Sequence, residues 1–393
     1  MVKKLGVVAL AGPGNGGTYQ YTLAMLHGLQ HVRGFDVTLF GDPANPDFVK
    51  LGYPIRSLGE SYGRQLTALA FDRMRLPLPD PFASQDLVLA PIYSLALLHT
   101  NKPYAYTLHD LQELHFPEHF SALQRIWRHQ IHSRLLARAG RVICESGYVK
   151  SDIVASFGIS EKRIAVIAAP PQRQFLTLQG DEQLRAVRGR LGLPERFLMY
   201  PAHYWPHKNH LRLLEAFRLV VNEEPDLKLV LTGQTQPIPA QSKKRHKSAT
   251  KRNDDYQTVV NAVDRLRLNE QVVHLGFIDR GDLQAIYQLA TALVMPSLHE
   301  SVSIPIYEAF WSGTPVVASN ILAMPEQVGD AGLLFDPTSV AAMSDAILRV
   351  IRDPAAARQR AQRGRERMLA MTPERYAEQL QGLLSELALS RAA

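Results

Sequence analysis

The sequence predicts an α/β protein built on two doubly wound parallel sheets. Strand-like and helix-like segments alternate along the whole chain, with no internal repeat or low-complexity tract. Its 393 residues, 46% of them hydrophobic, exceed what one core usually organises. The pair Pro170-Pro171, followed by a polar stretch, is the best linker candidate. The expected division is an N-terminal domain over 1–175, a second over 176–372 and a terminal helix over 373–393.

The start, MVKKLGVVALAG, has too brief an apolar part for a signal peptide and runs directly into a glycine loop, so it reads as a first strand. That loop, Gly12-Pro-Gly14-Asn-Gly16-Gly17, satisfies G-x-G-x-x-G between a strand and a helix, and on this motif alone a dinucleotide ligand stays open. The ribose-binding acid should end the second strand, whereas Asp36 begins it and Asp42 follows a glycine turn. The longest apolar run, Leu87 to Leu98, is broken by Pro91 and is too short for a membrane span. The strand-like YAYTL leads into His109-Asp110, at the place where open sheets carry ligand-binding loops. His115 and His119 have helical spacing but Phe116-Pro117 lies between them, and no Cys or carboxylate cluster joins them, so no metal site is expected.

From Ser121 to Arg141 there are five arginines and no acid, with Leu123, Ile126, Ile131 and Leu135 on one helical face. Such a helix either packs its stripe on the domain or lies on an anionic membrane. The single cysteine, Cys144, rules out an internal disulfide framework, fits a reducing cytoplasm and reads as a small buried strand residue. Farther on, Lys243 to Arg252 holds six Lys/Arg in ten residues without an acid or apolar periodicity, the pattern of a solvated loop. The net charge of +7 has no recognition motif or aromatic platform beside it, which argues against nucleic acid.

The second half should open with a helix near Glu182 and continue through strands at Phe197 to Tyr200, Lys228 to Leu231, Val272 to Leu275, Ala292 to Met295 and Pro315 to Ser319. The most informative stretch is SLHESVSIPIYEAFWSGTPVVASN, Ser297 to Asn320. Pro305 suits the first turn of a helix and Gly313 its stop, so Glu300 lies on the preceding loop and Glu308 in the early helix. Free amides at a helix start can hold phosphates, while carboxylates accept hydrogen bonds from hydroxyls. Together they point to a nucleotide sugar. Thr372 as N-cap, Pro373 after it and the Leu-rich tail to Leu389 form the last helix.

Six segments in order resemble the retaining glycosyltransferases of family 4, the group 1 transferases with the GT-B fold. They are GPGNGGTYQYTLAML, YTLHDLQELHFPEHF, VICESGYVKSDI, YPAHYWPHKNHLRLLEAF, the E-x7-E region and VGDAGLLFDP. The resemblance implies two Rossmann-like domains facing a central cleft, with the last helix crossing back to the first domain. It implies catalytic roles for His109, Lys208 and Glu300, with Lys208 facing the leaving diphosphate, Glu300 the transferred sugar and Glu308 the ribose. It further places Gly16, Gly17, His203, Gly233, Phe277, Ile278, Ser301, Val302, Ser303 and Ile304 around the donor. No metal or cofactor is implied; the donor substrate is a nucleoside diphosphate sugar, with mannose as the first guess and glucose the second.

The acceptor would be a saccharide or lipid-linked saccharide of bacterial surface polysaccharide assembly, for instance lipopolysaccharide. The enzyme would be cytoplasmic and peripheral on the inner face of the plasma membrane, held there through Arg125 to Arg141 and Lys243 to Arg252. Two departures from the family stand out: His203 where an arginine is common, and Ser301-Val302-Ser303 where Gly-Phe-Gly is frequent. They keep two alternatives in view, a non-transferring epimerase-like enzyme and a catalytically silent binding subunit.

Overall fold

The computed structural model describes residues 2–13, 16–58, 78–170, 177–234 and 246–389, with scattered positions between 67 and 76. They form two compact units, Met1–Pro170 with Met371–Ala393, and Pro171–Ala370. The first unit holds seven parallel strands: β1 (Lys3–Ala9), β2 (Phe35–Gly41), β3 (Ile55–Arg56), β4 (Leu87–Ala90), β5 (Tyr104–Thr107), β6 (Arg141–Cys144) and β7 (Ile164–Val166). Their spatial order is β3-β2-β1-β4-β5-β6-β7. The helices are α1 (Gly17–Leu29), α2 (Pro46–Lys50), α3 (Gln112–His115), α4 (Ala122–Arg138) and α5 (Gly147–Phe157).

Because successive strand side chains point to opposite faces, each strand feeds two cores. Leu5, Val7, Leu39, Leu87 and Leu89 pack on one side with α1. Val8, Phe40, Val88, Ala90 and Cys144 pack on the other, with Ile131 and Leu135 of α4 and Val149 and Ile153 of α5.

The second unit holds β8 (Phe197–Pro201), β9 (Lys228–Thr232), β10 (Val272–Gly276), β11 (Ala292–Met295), β12 (Val316–Ser319) and β13 (Leu333–Phe335), in the order β10-β9-β8-β11-β12-β13. All pairings are parallel. Around them lie α6 (Asp181–Leu191), α7 (His210–Glu223), α8 (His246–Arg265), α9 (Arg280–Leu289), α10 (Ile304–Ser312), α11 (Met324–Val328), α12 (Val340–Arg352) and α13 (Pro354–Leu369). The short β13 was not expected as a strand; its three residues are too few to show a period.

The last helix, α14 (Pro373–Leu389), belongs to the first unit. Thr372 caps it, its hydroxyl accepting from the Arg375 amide at 3.1 Å. Tyr376, Leu380, Leu383, Leu384 and Leu387 enter the core beside α1. Each such side chain contributes about 1.5–3 kcal/mol of burial, so the helix is firmly anchored.

Two expectations need correction. The four apolar residues of α4 do not share a buried face: Ile131 and Leu135 are buried, but Leu123 and Ile126 are 79% and 57% exposed. The arginines of this stretch are also largely neutralised, because residues distant in sequence supply acids. Arg128 pairs with Glu113, Arg134 and Arg138 with Asp72, and Arg141 with Glu386 of α14. In the second basic segment, 243–245 lie outside the described residues, and from His246 the chain is already helical as α8 rather than a loop. No helix among the described residues is long and apolar enough to cross a membrane.

Candidate functional site

In the second unit the strand order reverses between β8 and β11, and the loops leaving their carboxyl ends form the crevice where such sheets bind ligands. The loop after β8 closes in a short turn, Pro206–Lys208, and Asn209 follows in the left-handed conformation. Asn209 fixes this turn by donating through Nδ2 to the carbonyls of Pro296 and Pro337, each at 2.9 Å. The Leu298 amide donates back to the His207 carbonyl at 2.7 Å. These bonds bring two sequence-distant groups together: Lys208 Nζ lies 2.5 Å from Glu300 Oε1, with the side chains 16% and 12% exposed. The Ser297 hydroxyl donates to the same oxygen at 2.9 Å. An ammonium carries three donors, so Lys208 retains hydrogens for a further anion.

Glu308 sits in the second turn of α10, which ends at Gly313 in the left-handed conformation. The Tyr287 hydroxyl of α9 donates to Glu308 Oε2 at 2.8 Å. Burial pushes the Glu308 carboxyl up to about 7, against the opposing pull of Tyr287 and Arg280. The start of α10 offers fewer amides than expected. Ser303 donates its amide to Gln327 Oε1 at 2.9 Å, Pro305 has none, and the Ile306 amide turns to the Ser303 carbonyl. Gln327 of α11 completes the clamp by donating to the Ser303 carbonyl at 2.6 Å. Ser303 is buried, so Gln327→Ala leaves its amide unsatisfied and should destabilise the protein by about 1–3 kcal/mol, measured by denaturant unfolding.

Around these residues, His203 lies against the Trp205 ring, centroids 5.2 Å apart. Gly233 follows β9, where the backbone approach demands glycine: a Cβ would stand 2.2 Å from the Ala202 carbonyl oxygen. Phe277 is 79% exposed after β10, and Ile278 beside it is half-buried. Ser301, Val302 and Ile304 are likewise half-buried between Glu300 and Glu308.

In the first unit, His109 follows β5 with both ring nitrogens committed. Nδ1 lies 2.9 Å from Glu145 Oε2 and Nε2 2.9 Å from the Pro91 carbonyl oxygen. Both partners are acceptors, so a doubly protonated ring satisfies both. Burial pulls the His109 pKa down, but Glu145, then the Pro91 carbonyl and Asp110, outweigh it and hold the value above the ordinary histidine range. Tyr21 of α1 stands edge-on to this ring, centroids 4.8 Å apart. Gly16 precedes α1 with φ 56°, a conformation that favours glycine, while a Cβ there would meet nothing within 4 Å. Its positive φ is a backbone requirement that glycine meets. Gly17 is the first residue of α1; Gly14 and Asn15 lie outside the described residues.

His115 is bound to Asp152 at 2.7 Å, and among the described residues no group of three or more His, Cys, Asp or Glu could hold a metal ion. Sequence reasoning missed the supporting residues Tyr200, Ser297, Tyr287, Gln327 and Glu145. The Glu-Ser after β6 was the single visible signal, and it carried no role.

Two doubly wound parallel sheets, with the last helix returned to the first unit, define the GT-B class of α/β proteins. The profile of "Glycosyl transferases group 1" matches residues 186–367, and that of "Glycosyltransferase Family 4" matches residues 15–170. The chain is similar to O-antigen chain mannosyltransferase B of Escherichia coli, 28% identical over 249 residues, which cover 63% of this chain and 61% of that one. It is also similar to O-antigen chain mannosyltransferase RfbU of Salmonella typhimurium, 23% identical over 352 residues, covering 87% and 89%. Among solved structures, Anabaena HepE in complex with UDP and glucose superposes with a TM-score of 0.75 at 19% identity, covering 98% of this chain and 99% of that one. The chain belongs to the group 1 glycosyltransferases of family 4.

Proposed function

We propose that the protein transfers a hexose from a nucleoside diphosphate sugar to a saccharide acceptor with retention of configuration, in bacterial surface polysaccharide assembly. The observation that carries this reading is the Lys208–Glu300 pair at the strand-order reversal, one cation and one carboxylate held 2.5 Å apart on loops of two adjacent strands. Lys208 neutralises the negative charge that grows on the β-phosphate as the glycosidic bond breaks. Glu300 accepts from the hydroxyls of the sugar, and Glu308 from those of the ribose. His203, Gly233, Phe277, Ile278, Ser301 to Ser303 and Ile304 line the remaining donor surface of the second unit, and Gly16 and Gly17 are the proposed ligand-binding glycines of the first. His109 is the first unit's proposed contribution to catalysis, its ring held by hydrogen bonds at both nitrogens. The departing phosphate takes the proton of the incoming hydroxyl, so the bond forms on the face that the leaving group vacates. No metal or cofactor enters this scheme.

Mannose is the favoured sugar and glucose the second. The relatives' names support mannose, and the UDP and glucose bound by the HepE structure keep glucose in view. The test is the anomeric configuration of the linked product by NMR. GDP-mannose should yield an α-mannoside; a β-mannoside overturns retention.

The paired arginines shift the proposed membrane contact from the whole basic stretch to the start of α4. Leu114, Ile126, Arg125 and Pro117 line a concavity of about 420 Å³ there, with Leu123 exposed beside it. On an anionic surface Leu123 and Ile126 would enter the headgroup region beside Arg125. Wild-type protein should cosediment with anionic vesicles at low salt, and Leu123→Asp with Ile126→Asp should abolish this; equal sedimentation of both proteins contradicts it.

A further inference from the structure

The donor-side pair does not stand alone: it closes a ring of four residues behind the crevice. Tyr200 is the fourth residue of β8 and is fully buried; Ser297, two residues past β11, is also fully buried. The Tyr200 hydroxyl donates to the backbone carbonyl of Lys208 at 2.8 Å. The Ser297 hydroxyl donates to Glu300 Oε1 at 2.9 Å, and the two hydroxyl oxygens lie 3.2 Å apart. Lys208 Nζ reaches the same Glu300 oxygen and completes the circuit. Two hydroxyl protons serve three acceptor positions here. The shorter distances assign the Tyr200 proton to the Lys208 carbonyl and the Ser297 proton to Glu300, with the longest contact left to be shared.

We infer that Tyr200 and Ser297 are positioning residues for the transfer step, Tyr200 by fixing the backbone that carries Lys208 and Ser297 by fixing the carboxylate of Glu300. Physical economy favours this over mere core satisfaction. A buried tyrosine hydroxyl needs some partner, but here both buried hydroxyls spend their protons on the two residues that face the donor, one each. When Lys208 turns its remaining hydrogens toward a phosphate, the pull on Glu300 weakens, and the Ser297 bond holds the carboxylate in place for the sugar. Neither hydroxyl is exposed, so neither touches the donor; both act through their partners.

The inference rests on the transferase reading and can fail separately from it. Tyr200→Phe and Ser297→Ala, each purified as the full chain, are compared with wild type in nucleoside diphosphate release from GDP-mannose and UDP-glucose, in calorimetric affinity for GDP and UDP, and in melting temperature. Each variant should lose on the order of tenfold in turnover, the effect of one bond to a charged or catalytic group, with nucleotide affinity retained. A role confined to folding lowers melting temperature and affinity together and leaves turnover per folded molecule unchanged. In double-mutant cycles Ser297→Ala should cost nothing further once Glu300 is alanine, and Tyr200→Phe nothing further once Lys208 is alanine. Wild-type turnover in both single variants, or full additional losses in those backgrounds, overturns the inference. If wild-type protein is inactive on both donors, the transferase reading fails on its own. The crystal structure of Tyr200→Phe then decides: a displaced Lys208 carbonyl and a separated Lys208–Glu300 pair support the relay, and an unmoved pair overturns it.

Discussion

Lys208→Ala should lose on the order of a hundredfold or more in turnover while donor affinity changes far less, the range seen when one preorganised electrostatic contact is removed. The geometry explains the size. Lys208 is only 16% exposed, so its charge acts with little screening, and the turn that carries it is fixed by Asn209 and Tyr200 before any donor arrives. A cation held in place costs no reorganisation when charge develops on the β-phosphate. His203, packed on Trp205, stands where the family often has arginine, so raising the donor concentration should not rescue the variant. His203→Arg restores the usual cation and should be tolerated or raise activity. Because Lys208→Ala also strands a mostly buried Glu300, melting temperature is measured beside steady-state kinetics. A folded Lys208→Ala enzyme with near-normal turnover contradicts the mechanism.

Glu308 predicts a pH dependence of nucleotide affinity with a definite sign. Its carboxyl is raised to about 7, first by burial, and ribose hydroxyls bond best to the ionised form. Nucleotide binding therefore favours the deprotonated state and lowers the carboxyl's pKa in the complex. Affinity for GDP or UDP should be full above about 7 and fall as pH drops through that value, approaching a tenfold loss per pH unit. Tyr287→Phe removes the bond that favours the carboxylate, so the midpoint should move upward. Glu308→Ala should bind weakly and without this dependence, whereas Glu300→Ala should keep its nucleotide affinity and lose turnover. Calorimetry between about pH 6 and about pH 8 reads all four proteins. Wild-type affinity in Glu308→Ala, or affinity rising as pH falls, contradicts the assignment.

What the sequence disclosed, it disclosed through local rules. The strands of the second unit follow from short β-branched runs, α10 from Pro305 and Gly313, and α14 from Thr372 and Pro373. Glu300 and Glu308 were visible because their spacing lies within one loop and helix. The rest depends on contacts between distant segments. Nothing local announces that Asp72 neutralises Arg134 and Arg138, so the α4 stretch read as a basic surface. Likewise Leu123 and Ile126 keep helical spacing with Ile131 yet face solvent, since which arc of a helix is covered depends on the neighbouring elements. The hydroxyls of Tyr200 and Tyr287 fall in plain strand and helix patterns, and Ser297, only three residues from Glu300, lies in a loop where no local rule assigns it a partner. Gln327 reads as an unremarkable helix residue until α11 folds against the start of α10.

The central claim, a working transferase, is tested most directly by incubating the protein with a panel of nucleotide sugars and a saccharide acceptor while measuring free nucleoside diphosphate and acceptor-linked sugar together. The account predicts that both appear in equal amounts, with GDP-mannose the best donor. Donor consumption without linked product marks a non-transferring enzyme, and binding without consumption marks a silent subunit; either result contradicts the account.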